Sequence, residues 1–195
     1  MLAGEEIKQI LYSVIEEIGK EKIQADVALD IESSQKYIDI IMRKSIRKIV
    51  VSSKSTVDYS EDDDDHDDET IAALCETLLH FMLTICTLPS ERKIKVENDL
   101  VLDIIIPSLE SLKIKPDKSI IVQIIKEKVR LNKISQLEFL QPNNENIWLI
   151  SAKPLSKITK YKTYSVFPNN QYSNIIIDIH NFLKEIGDKS FRFIH

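Results

Sequence analysis

Glycine is scarce in this chain, with only Gly4, Gly19 and Gly187 among 195 residues. A loop that cradles phosphate with backbone amides needs several glycines close together, because a Cβ would block the approach. Nucleotide-binding loops of that kind are therefore excluded, and Gly19 and Gly187 read instead as residues that end helices. Cysteine is also rare. Cys75 and Cys86 are eleven residues apart on one apolar helical pattern, about 16 Å at ~1.5 Å per residue, too far to bridge. No uninterrupted apolar run approaches the roughly 18 residues of a membrane span, and Met1 to Glu6 has no basic region ahead of an apolar one. The expectation is a soluble, cytoplasmic protein with reduced thiols and no membrane partner.

Charge is abundant and uneven. Residues 1–90 carry 19 acids and 9 bases, whereas residues 91–195 carry 12 acids and 17 bases. From Lys113 to Lys162, eleven Lys or Arg face four acids, a field that suits a polyanion. Lys126, Lys128, Arg130, Lys157, Lys160, Tyr161 and Lys162 are the nucleic-acid-binding candidates, because lysine beside tyrosine offers phosphate contact and base stacking. An edge strand kept soluble by lysine has the same composition. The acids concentrate between Glu61 and Glu69, where like charges resist burial and read as a solvated loop. That run lacks the spaced ligands and glycine of a calcium loop. The glycine-poor, Ile- and Lys-rich texture also resembles that of thermophile chains.

With 43% hydrophobic residues the chain can bury a large core. The expectation is one α/β domain, a mixed sheet flanked by helices in three layers, with the acidic loop at about 54–69 separating an N-terminal α-β-α-β part (1–53) from a core part (70–195). Ile7, Ile10, Leu11, Val14, Ile15 and Ile18 form one stripe of a helix over Glu5–Ile18, which must pack on the sheet or on a second copy as a homodimer. Ile23, Ala25, Val27, Leu29 and Ile31 alternate with polar residues as in a strand. A helix carrying Tyr37, Ile38, Ile41, Met42 and Ile46 follows, and Lys48–Ser53 reads as a short strand, giving a strand–helix–strand unit with parallel pairing.

The third helix, Thr70–Thr87, is apolar on most sides, with Glu76 on its polar remainder, and Pro89 ends it. A hairpin follows. Asn98-Asp99 supplies a two-residue turn that pairs Val96 with Val101 and Ile94 with Asp103. Asp103 then shares a face with Ile94, Val96, Val101 and Ile105, where a carboxylate is costly to desolvate without a partner. Ser119–Lys126 is a buried strand that brings Gln123 near Asp103. A helix over Val129–Leu140, a strand over Asn146–Ser151, an edge segment Lys153–Phe167, a helix Tyr172–Ile186 and a short strand at 190–194 complete the pattern.

From Thr70 to Ser151 this order resembles the core of the restriction-endonuclease-like, or PD-(D/E)XK, superfamily: a helix, a hairpin with an aspartate on its second strand, a strand with a polar residue, a helix and a further strand. The resemblance implies Mg²⁺ bound by Asp103, with Gln123 at the position of the second acid and a lysine that positions water. The sequence departs from that pattern in two ways. Gln123 is neutral, and the lysine position falls on Ile125, with Lys126 one residue late on the opposite face. The resemblance therefore names Asp103, Gln123 and Lys126 as catalytic candidates. A bulge would be needed to swing Lys126 round, and Glu76 would join Asp103 as a metal ligand from the helix. Taken together, these features imply a nucleic-acid-binding protein on a nuclease-like scaffold with catalysis lost or marginal. The alternative is a non-enzymatic assembly protein.

Overall fold

The computed structural model describes residues 4–53, 68–96, 100–126, 131–155 and 160–191. Most of the acidic run (54–67) lies outside them, as do Lys128, Arg130, Lys157 and the strand expected at 190–194 beyond Phe191. The chain opens with three helices, α1 (Gly4–Ile18), α2 (Lys20–Leu29) and α3 (Ser33–Ser53). Both expected N-terminal strands are therefore absent, and with them the strand–helix–strand unit. The alternation from Ile23 to Ile31 was misleading because every second apolar residue also contains a pair four apart. Ile23 and Val27 are buried on one face of α2, while Ala25 and Leu29 are exposed. Lys48–Ser53 continues α3 for the same reason: Ile38, Ile41, Met42, Ser45 and Ile49 make one buried helical stripe that overrides the β-branched run Ile49-Val50-Val51.

The α1 stripe is covered by the chain itself. Ile7, Leu11, Val14 and Ile15 are buried where α1 packs against α3 and α4 (Asp68–Ile85), which leaves no apolar stripe on this helix for a second copy. Asp68 and Glu69 stand in the first turn of α4, where the helix dipole favours negative charge.

Among the described residues, five strands form one mixed sheet in chain order: β1 (Glu91–Lys95), β2 (Val101–Ile106), β3 (Ile120–Ile124), β4 (Ile147–Ser151) and β5 (Lys162–Ser165). β1, β2 and β3 are antiparallel, whereas β3, β4 and β5 run parallel. The short helix α5 (Leu109–Ile114) follows β2, and α6 (Leu131–Leu140) makes the crossover from β3 to β4. The last helix, α7 (Ile175–Phe191), runs on through Gly187, which therefore does not end it.

Helices cover both faces. The larger core joins α1–α4 and α7 to Ile104, Ile106, Ile120, Val122, Ile124, Trp148 and Ile150. The smaller packs Leu112 of α5 and Ile134 and Leu137 of α6 on Leu102, Ile105, Ile121, Ile147 and Leu149. Among the described residues, no helix is long and apolar enough to cross a membrane.

Candidate functional site

The hairpin register sets the site. Lys95 lies opposite Val101, Ile94 opposite Leu102 and Arg92 opposite Ile104, one residue away from the expected pairing. The Val96 N–H donates to the Leu100 carbonyl, so three residues, 97–99, make the connection instead of two. This shift puts Lys93, not Ile94, beside Asp103. Lys93 has φ of 51°, an uncommon conformation for a residue with a side chain, and it lies between two regularly paired neighbours.

The strand carrying Asp103 is irregular as well. Leu102 and Ile105 both pack in the smaller core, although residues three apart on a regular strand face opposite ways. The side-chain alternation is thus broken next to Asp103, which is why the expected face shared with Val101 and Ile105 does not describe its surroundings. The β2–β3 ladder pairs Ile106 with Ile120, Ile105 with Ile121 and Ile104 with Val122. Beyond that point the Asp103 carboxylate ties the strands together: its Oδ2 accepts the Ile124 N–H at 2.8 Å and the Gln123 amide at 2.6 Å. Its Oδ1 accepts Lys93 Nζ at 2.6 Å. Buried to 6% exposure, Asp103 has three donors, which answers the desolvation cost that made it conspicuous in the sequence.

Lys93 also lies 2.7 Å from Glu76 Oε1 on α4, so one ammonium stands between the two carboxylates. The other Glu76 oxygen takes Lys126 at 2.9 Å, and Arg92 is 3.9 Å from the first. Burial works to raise the Glu76 pKa, but hydrogen bonds and charge from Lys93 and Lys126 outweigh it and hold the carboxyl below its ordinary value. Burial likewise works against the charged form of Lys93, and the two carboxylates outweigh it, so its pKa is raised.

The structure brings Asp103, Gln123, Lys126 and Glu76 into one cluster, joined through Lys93. Lys126 needs no bulge. The Ile125 N–H still donates to the Ile150 carbonyl, Ile125 packs toward the smaller core, and the next residue reaches the α4 side where Glu76 stands. Arg92 and Lys93 were missed, because reading them requires the hairpin register and a positive φ that no composition signal announces.

The remaining basic candidates lie elsewhere. Lys162 pairs in register with Trp148, which pairs with Val122, so Lys126 sits about 13 Å further along the strand direction, at roughly 3.3 Å per residue. Lys162 Nζ lies 4.4 Å from the Trp148 ring centroid and 2.8 Å from Asp178 of α7. Tyr161 and Lys160 both engage Glu138 of α6. The described members of the predicted basic surface are thus divided between the two ends of the strands and engaged by acids of the chain. Glu138 and Asp178 were not anticipated as their partners, since neither contact is local in sequence.

The Mg²⁺ implied by the resemblance does not fit these side chains as they stand. All four carboxylate oxygens of Asp103 and Glu76 accept from nitrogen donors, and the place between the two acids is held by Lys93. Gln123 presents its amide nitrogen, not its oxygen, to the Asp103 carboxylate. Among the described residues, no three His, Cys, Asp or Glu side chains group so as to hold a metal ion.

No family model matches the chain, and no curated protein does. Two solved structures are similar to it. The restriction endonuclease PspGI in a complex with substrate DNA aligns over 92% of this chain and 93% of its own, with 15% identity and a TM-score of 0.59. Metal-depleted Ecl18kI in complex with uncleaved, modified DNA aligns over 95% of this chain and 86% of its own, with 10% identity and a TM-score of 0.59. The fold is restriction-endonuclease-like, and the likeness extends well beyond the Thr70–Ser151 core named from the sequence.

Proposed function

We propose that the protein binds nucleic acid on its restriction-endonuclease-like scaffold, with hydrolytic catalysis lost or marginal. The observation that carries this reading is the likeness of nearly the whole chain to two structures determined with DNA. The chemistry of the cluster supports the second half: three cations, Arg92, Lys93 and Lys126, surround two carboxylates, and Gln123 stands where the resemblance implies an acid. In this reading Lys126, which is half exposed, and Lys128 and Arg130, which follow it in sequence, supply the phosphate contacts, while Asp103 and Gln123 hold β2 to β3.

The test is fluorescence anisotropy and gel cleavage on labelled single-stranded, duplex and branched DNA and RNA, with Mg²⁺, Mn²⁺ or EDTA. The expected result is binding without cleavage. Three phosphate contacts weaken affinity by about 40-fold between 50 and 200 mM salt, since the slope is roughly −0.9 per contact. Replacing Lys126, Lys128 and Arg130 by alanine flattens that dependence. Metal-dependent cleavage that disappears in Asp103→Ala would establish a nuclease instead, and no binding to any ligand at low salt would end the nucleic-acid reading.

A further inference from the structure

The position of Lys93 has no counterpart in what the resemblance implies, and its backbone is held in an uncommon conformation to reach it. Its φ of 51° lies in the left-handed region, which residues with a Cβ rarely adopt. The neighbours on either side remain in register with β2, so on β1 the departure is confined to the residue whose side chain bridges the two acids. From there the ammonium meets one oxygen of Asp103 at 2.6 Å and one oxygen of Glu76 at 2.7 Å. A single cation thus bridges a carboxylate on β2 and a carboxylate on α4.

That is the bridging role a divalent ion would take, played by a covalently attached charge. A small dication needs oxygen ligands at about 2.0–2.1 Å for Mg²⁺ and retains several waters. It cannot share these two oxygens with an ammonium at hydrogen-bond distance, because the two positive charges would occupy the same gap between the acids. Glu76 is further neutralised by Lys126, and the other oxygen of Asp103 is taken by the Gln123 amide and the Ile124 N–H. The cluster is complete without an ion.

We infer that Lys93 is a resident cation that replaces a divalent metal between Asp103 and Glu76, so that the native protein engages its polyanion without metal and removal of the Lys93 ammonium opens a divalent-cation site. The inference rests on the nucleic-acid reading for its first half only. The second half concerns Asp103, Glu76 and Lys93 alone and can be tested without any nucleic acid.

The experiment titrates Mn²⁺ into the full chain and reads the free ion by electron paramagnetic resonance, for the native protein, Asp103→Asn, Lys93→Met, Lys93→Arg and Lys93→Met with Asp103→Asn. Circular dichroism confirms that each variant is folded. The native protein and Lys93→Arg are expected to leave Mn²⁺ free at millimolar concentration. Lys93→Met is expected to bind it at least tenfold more tightly, and the added Asp103→Asn to abolish that gain. In parallel, anisotropy on single-stranded and duplex DNA should show EDTA leaving the native affinity unchanged, whereas the affinity of Lys93→Met rises with Mn²⁺.

Tight Mn²⁺ binding by the native protein that is lost in Asp103→Asn overturns the proposal, and this holds even if Lys93→Met does not fold. A folded Lys93→Met with no gain in Mn²⁺ binding overturns it too. If no form binds nucleic acid while Lys93→Met gains Mn²⁺, the nucleic-acid reading falls and the role of Lys93 as a metal replacement stands.

Discussion

The sheet carries two clusters in which a lysine meets an aspartate, and they are built differently. In the parallel half, the β4–β5 ladder is continuous from Trp148–Lys162 to Ser151–Ser165. There Lys162 lies over the Trp148 and Tyr164 rings, and Asp178 takes both Lys162 and the Tyr164 hydroxyl, the latter at 2.6 Å. Burial, reinforced by Asp178, raises the Tyr164 pKa far above its usual value, so the hydroxyl stays a donor throughout the working pH range. In the antiparallel half, the β2–β3 pairing ends at Ile104–Val122, the alternation of β2 breaks, Lys93 adopts a positive φ, and the Asp103 carboxylate takes the place of main-chain partners. One cluster follows the rules of a regular sheet and fastens α7 to it. The other breaks several of them at once, and such departures concentrate where a protein does something other than fold.

If this contrast is correct, damage to the two clusters should separate stability from binding. Trp148→Ala is the largest expected effect. The indole is 3% exposed, donates to the Glu145 carbonyl at 2.9 Å and packs edge-on against Phe182 and tilted against Tyr164. Its loss should cost about 3–5 kcal/mol, as for a large aromatic removed from a core. Urea unfolding monitored by circular dichroism measures this directly. Nucleic-acid affinity per folded molecule, measured below the unfolding transition, should be unchanged. A large drop in that affinity would mean that the Lys162 cluster is part of the binding surface.

Asp103→Ala should have the intermediate effect. It leaves the Ile124 N–H, the Gln123 amide and one side of Lys93 without their acceptor, which should cost about 2–3 kcal/mol. Unlike Trp148→Ala, it should also alter how the protein responds to Mn²⁺ once Lys93 is removed. Asp103→Asn, which keeps the shape and one acceptor oxygen, should lose less. Equal losses for the two would show that the negative charge, not the hydrogen bonds to β3, is what holds the site.

The two regions also differ in how readily the sequence discloses them. The three central strands, β2, β3 and β4, were recognisable because each is a short apolar run bounded by Pro, Asn or a charge, and Gln123 was placed near Asp103 by strand order alone. Glu76 could be placed on the helix that precedes the hairpin. α2 was harder to read, since an apolar residue at every second position fits a strand and also contains the four-residue spacing of a helix; Ile23 and Val27 satisfied both. The register of the hairpin was lost to one extra connecting residue. That single residue separates Asp103 facing Ile94, an orphan carboxylate, from Asp103 facing Lys93, an ion pair. Partners distant in sequence, such as Tyr161 with Glu138 or Lys162 with Asp178, depend on helix placement and leave no local signal.

The smallest expected effect is the pH dependence of the antiparallel cluster. Glu76 titrates below its ordinary value of 4.5 in the folded protein, because Lys93 and Lys126 outweigh the opposing effect of its burial. A depressed carboxyl binds fewer protons folded than unfolded, so its contribution to stability is fully present above the ordinary value and declines as pH falls through 4.5 towards the folded value. Lys93 acts at the opposite end. Its raised pKa contributes stability that is present below the ordinary 10.5 and lost as pH rises through the folded value. Thermal unfolding followed from pH 3 to 7 should therefore show an acid decline that is shallower in Glu76→Gln than in the native protein. Lys93→Met, which removes one of the charges that depress Glu76, brings its folded pKa back toward the ordinary value and should likewise make that decline smaller, whereas Trp148→Ala should lower the whole curve without changing its shape. An unchanged acid limb in both Glu76→Gln and Lys93→Met would mean that solvent screens these charges so fully that the cluster, despite its irregular backbone, is electrostatically no different from the surface ion pairs around it.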